Sequence, residues 1–164
     1  MKTLLLMRHA KSSWKDTSLS DFQRPLKKRG EKDMLRIAQV LKEEDQIPDF
    51  VLSSPAARAR ETIEILANEL GIEEELVEFV DEFYGAEIED FFDVLADLPD
   101  TYKKVMIVGH NPSLEGFLQT LTGEIDSLPT ASVALIKLGI QSWEDIDGAE
   151  QIGQLREIWR PREL

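Results

Sequence analysis

The chain has no cysteine among its 164 residues. That absence excludes disulfides, cysteine-ligated zinc and cysteine-dependent phosphatase chemistry together, and a reducing cytoplasm is the expected setting. Positive charge is also scarce, with 19 Lys and Arg against 32 Asp and Glu and a formal charge of −13. Such a balance argues against a general affinity for nucleic acid or an anionic membrane surface. No apolar run approaches the roughly 18 residues of a membrane span, and the opening "LLLM" is too short for the core of a signal peptide. Histidine occurs only twice and no HExxH spacing is present. Neither a bound metal nor any other cofactor is therefore expected. The length suits one domain over residues 1–164 with a single active site.

What is present alternates. Apolar runs of strand length lie at Thr3 to Met7, Phe50 to Leu52, Leu76 to Val80, Val105 to Val108 and Val133 to Leu138, with a weaker one at Leu155 to Trp159. Helical periodicity separates them: Met34, Ala38 and Leu41 after Gly30, then Ile63, Leu66, Ala67 and Leu70, then Ile88, Phe91, Phe92 and Leu95. This pattern predicts an α/β sandwich around a mainly parallel sheet.

Two junctions carry chemistry. "SSPAARARET" follows the strand at Phe50, and "GHNPSLEGF" follows the strand at Val105. In each, a capping-type residue (Ser54, Asn111) precedes a proline (Pro55, Pro112) placed for the first helical position, so both strands should run straight into helix starts. Helix N-termini at the carboxyl ends of strands favour anions. Arg8 and His9 end the first strand, Arg58 and Arg60 open the second helix, and His110 ends another strand. Taken singly, each histidine is an ordinary strand-end residue and Arg58 part of a solvated helix face. If the strands are parallel neighbours, all five groups face one point.

The ordered set "LMRHA", "SSPAARARET" and "VGHNPSL" resembles the histidine phosphatase superfamily, which includes the phosphoglycerate mutases and acid phosphatases. With "RHAKSSW" and "RPLKKRG", the chain is most similar to the small SixA-type phosphohistidine phosphatases. The resemblance implies a phosphoglycerate mutase-like fold, a single-domain three-layer sandwich with helices on both faces of the sheet. It implies His9 as nucleophile, with Arg8, Arg58 and His110 in the phosphate pocket. Lys11, Ser12, Arg24 and Asn111 are expected as further phosphate or substrate contacts. Arg60 is assigned to the rim or a salt bridge, and Trp14, Trp143 and Trp159 to packing.

The implied reaction is metal-independent hydrolysis of phosphohistidine on a partner protein through a phosphohistidine on the enzyme. A neutral imidazole is nucleophilic near neutral pH, and guanidinium forks hold the charge that spreads over a transferring phosphoryl group. Two alternatives stay open: a phosphatase of small phosphomonoesters, and a non-catalytic module that binds phosphate or a phosphoprotein. The first needs a general acid, and among Asp81, Glu82 and Glu87 the motif favours Glu82.

Overall fold

The computed structural model describes residues 1–164. The six apolar runs are all strands: β1 (Lys2–Arg8), β2 (Phe50–Ser53), β3 (Val77–Phe79), β4 (Lys104–Gly109), β5 (Val133–Leu138) and β6 (Gly153–Trp159). They form one sheet in the order β3-β2-β4-β1-β5-β6. The first four strands run parallel, while β5 pairs antiparallel with β1 and β6 antiparallel with β5.

Strand β1 reads as an uninterrupted apolar run because it is central and covered on both faces. Leu5 and Met7 join Met34 and Ile37 of helix α1 (Lys28–Glu43) and Ile63 and Leu66 of α2 (Ala57–Leu70). Leu4 and Leu6 point the other way, toward Phe91 and Leu95 of α3 (Ile88–Ala96) and Phe117 and Leu121 of α4 (Ser113–Thr122). Each such side chain contributes about 1.5–3 kcal/mol on burial, so the alternation along β1 holds both helical layers. The outer strand β6 exposes Gln154, Arg156 and Glu157, polar groups that discourage pairing with another sheet edge.

The helix starts differ from expectation. α2 begins at Ala57 and α4 at Ser113, so neither Pro55 nor Pro112 is a first helical residue. The Ser54 hydroxyl accepts a bond from the Ala56 amide (3.2 Å) but also lies 2.8 Å from the His110 ring, which keeps it one turn outside the helix. The Asn111 side chain reaches Glu115 and the Leu128 carbonyl instead of capping α4.

α1 starts at Lys28, so Gly30 lies inside its first turn rather than before it. There a Cβ would collide with the Lys11 carbonyl oxygen. Glycine is thus required for close approach of the loop after His9, which Lys27 N–H to Lys11 O (3.0 Å) and Ser13 N–H to Pro25 O (2.8 Å) clamp to the "RPLKKRG" segment. Gly30→Ala is expected to cost about 1–3 kcal/mol of stability through forced backbone movement. Turnover should fall with it, because the displaced loop follows His9. Unchanged urea midpoint and activity would show that the contact carries no strain.

Candidate active site

Parallel pairing brings the three strand ends together. Arg8 stands opposite Gly109, the His9 amide donates to the Gly109 carbonyl (3.1 Å), and the Ser54 amide donates to the Val108 carbonyl (2.9 Å). His9 and His110 therefore lie with ring centroids 5.0 Å apart. Arg8, His9, Arg58 and His110 line one cavity of about 450 Å³, together with Lys11, Ser12, Arg24 and Asn111.

His9 is 6 % exposed, and its Nδ1 lies 2.7 Å from the Ala10 carbonyl. A carbonyl only accepts, so Nδ1 carries the proton and Nε2 keeps its lone pair. Burial, aided by His110, Arg58 and Arg8, pulls the His9 pKa down to about 3 against the opposing Ala10 bond. Ala10 and Arg58 are tied to each other through buried Thr62, whose hydroxyl accepts from the Ala10 amide (2.9 Å) and donates to the Arg58 carbonyl (2.6 Å). The loop after His9 and helix α2 thus share one register.

His110 is pulled down to about 4, by burial first and then by Arg58 and Arg8, with Asp21 opposing. Both rings are neutral at pH 7. Its Nδ1 and the Nε of Arg8 have no hydrogen-bond partner within the protein, two unsatisfied donors or acceptors in one site.

Sequence reading missed Asp21. Arg58 donates from Nη1 to the Asp21 carbonyl (2.7 Å) and from Nη2 to its carboxylate (3.0 Å). Tyr84 O–H (2.7 Å) and Arg24 Nη1 (3.0 Å) donate to the same carboxylate. These bonds, the Tyr84 one foremost, hold the Asp21 carboxyl down at about 2. Tyr84 also sets its ring edge-on to His110 at 5.8 Å. No local motif marked Asp21 or Tyr84; their shared partner Arg58 could be found only in three dimensions.

Several expected contacts take other roles. Both Asn111 amide donors are committed, to Glu115 and to the Leu128 carbonyl at 2.9 Å each, so its side chain is not a donor to phosphate although it borders the cavity. Ser12 is buried and accepts from Arg24, which also donates to the Ser13 carbonyl and stacks on Trp14. Trp14, expected to pack, is 73 % exposed at the cavity wall, whereas Trp143 is in the core. Arg60 stacks on Phe79, away from the cavity. Glu82 is exposed on a short turn and does not border the cavity, as is also true of Asp81 and Glu87, the latter engaged at the start of α3. No group of three His, Asp or Glu side chains has a metal-binding arrangement. No helix is long and apolar enough to cross a membrane.

The low histidine pKa values make stability depend on pH. Between pH 7 and 5 the unfolded histidines take up protons near 6.5 while the folded ones stay neutral, so stability falls on acidification. Each histidine should remove about 2 kcal/mol over that interval. Asp21 acts in the same direction but only below its unfolded value near 3.8, outside this window. Urea unfolding at the two pH values should show the loss in the wild type and a much flatter response in the double variant His9→Asn, His110→Asn. Equal slopes would mean that the histidines are charged in the fold.

The histidine phosphatase superfamily (branch 1) matches residues 4–105. An uncharacterised chloroplastic protein of Arabidopsis thaliana is 36 % identical over 153 residues, 88 % of this chain and 70 % of the relative. A SixA protein of Agrobacterium tumefaciens, described as a candidate phosphohistidine phosphatase, is similar in structure with a TM-score of 0.81, 28 % identity and 98 % of both chains covered. The protein histidine phosphatase SixA in complex with tungstate has a TM-score of 0.84 at 23 % identity over 98 % of each chain, a likeness of fold. With the "LMRHA" and "SSPAARARET" segments inside the matched residues and His110 beside His9 in space, this chain belongs to the histidine phosphatase superfamily and has the phosphoglycerate mutase-like fold of SixA.

Proposed function

We propose that this phosphatase hydrolyses phosphohistidine on a partner protein, with His9 as the residue that carries the phosphoryl group between the two steps. Family membership and the SixA neighbours support phosphatase activity; the substrate reading rests on the site's carboxylates. None borders the cavity, and Asp21 beside it is ionised and bonded to Arg58, Arg24 and Tyr84. A site without a proton to give suits a leaving group that needs little help. An imidazole nitrogen meets that condition better than the alkoxide of a phosphomonoester.

In the first step Nε2 of His9 forms a bond to phosphorus while the bond from phosphorus to the substrate imidazole breaks, and solvent protonates that imidazole as it leaves. Arg8 and Arg58 hold the equatorial oxygens, whose charge grows most in transfer. With the Ser54 hydroxyl donating to Nε2, the neutral His110 ring carries its proton on Nδ1, which has no partner within the protein and can donate to the phosphoryl oxygens. Water then attacks phosphorus, the bond to His9 breaks, and inorganic phosphate departs. The Nδ1 bond to Ala10 keeps the ring aimed throughout.

Tungstate, held by the similar SixA, is a tetrahedral oxyanion and should inhibit competitively. The decisive comparison is of substrates. A phosphohistidine peptide should exceed serine and threonine phosphopeptides in kcat/KM by at least about a hundredfold, about 2.7 kcal/mol at the transition state. Glu82→Gln should leave phosphohistidine turnover nearly intact. If phosphomonoesters are better substrates and Glu82→Gln abolishes their turnover, the site is that of a small-molecule phosphatase with Glu82 as its acid.

A further inference from the structure

A second cavity of about 250 Å³ adjoins the first and shares Lys11 and Thr130 with it. Its other walls are the charged side chains of Arg29, Asp33, Arg36 and Arg162 and the two prolines Pro129 and Pro161, with no large apolar side chain among them. Five lysines and arginines line the first cavity and three more line the second, so eight of the chain's 19 surround the pair, against one of its 32 carboxylates, Asp33. In a protein of charge −13, this inverts the balance of the rest of the molecule.

The cations form a strip rather than a point. Arg29, Lys32 and Arg36 recur on one face of α1 over about 10 Å of helix. Glu31 turns instead to a separate hollow with Glu64 and Glu69, so the helix divides its charges between two sides. Lys11, Arg29, Lys32 and Arg162 form no ion pair with any carboxylate of the chain. Arg36 lies 4.0 Å from Asp33 and is held by the main-chain oxygen of Leu164 at 2.8 Å.

We infer that this strip docks an acidic segment of the substrate protein, placed next to its phosphohistidine. The inference rests on the phosphohistidine reading above. One phosphoryl group held by Arg8 and Arg58 cannot also reach along two turns of α1; carboxylates spaced along a polypeptide can. Polar walls mean that charge rather than apolar burial drives the contact, so association and salt dependence should carry its effect. The acidic remainder of the surface repels the same partner and leaves this one approach.

Two synthetic phosphohistidine peptides test this, identical around the phosphohistidine but with a flank of Asp and Glu in one and of Ser and Gln in the other. At low ionic strength kcat/KM should favour the acidic peptide by about tenfold or more, and raising salt to about 0.5 M should remove the preference. The variant Arg29→Gln, Arg36→Gln, Arg162→Gln should bring the ratio near one while the neutral peptide is turned over as before. Equal rates on both peptides in the wild type at low salt would overturn the docking strip alone. So would a preference that survives in the variant, or an equal loss by the variant on both peptides. Hydrolysis of neither peptide would instead remove the phosphohistidine reading itself.

Discussion

His9→Ala is expected to lower kcat on a phosphohistidine peptide by at least about a thousandfold, about 4 kcal/mol of lost transition-state stabilisation. The reason is covalent rather than electrostatic. In the proposed mechanism the ring supplies the atom to which phosphorus transfers, and no neighbour can replace it, because His110 has its Nε2 bonded to Ser54 and its proton on Nδ1. Charge alone would survive the substitution, since Arg8 and Arg58 remain. The variant should therefore still bind inorganic phosphate while failing to turn over substrate. Wild-type enzyme quenched in base during turnover should retain labelled phosphate that is released by acid, as a phosphoramidate requires, and the variant should retain none. A fully active His9→Ala enzyme would sink the covalent mechanism.

Arg58→Ala should lower kcat/KM by about two to three orders of magnitude, the usual cost of a transition-state donor in a water-poor site. Arg58 is only 7 % exposed, and Asp21 engages both of its terminal nitrogens. A guanidinium has five N–H groups, so the fork is held at two of them and three remain for phosphate. Asp21 is thus a positioning residue, and Asp21→Ala should cost less than Arg58→Ala because the Asp21 carbonyl still holds Nη1. Measured side by side, the two variants separate the roles. A loss below about tenfold for Arg58→Ala would take it out of contact with the reacting phosphoryl group. An Asp21→Ala loss equal to that of Arg58→Ala would give Asp21 a part beyond orientation.

Sequence by itself determined the alternation of strands and helices and the meeting of Arg8, His9, Arg58 and His110. Those readings depend on nearest-neighbour facts. An unbroken run of strand length such as Leu4 to Met7 fits a strand covered on both faces, and a residue directly after such a strand lies at its carboxyl end whatever the rest of the chain does. Helix starts were less legible, because Ser54 and Asn111 had partners far along the chain that outcompeted the local caps. Tertiary structure alone decided what surrounds the four residues. Asp21 reaches Arg58 across 37 residues and Tyr84 across 63, and Gly30 meets Lys11 where two loops cross. The same holds for Trp14, which stacks on Arg24 at the cavity wall, and for Glu82, which the turn before α3 keeps away from it. A side chain's partner depends on the direction in which its backbone delivers it and on what another segment brings to the same place. Neither quantity has a signature in local periodicity, so the strand ends could be read in one dimension and the hydrogen bonds that aim their side chains could not.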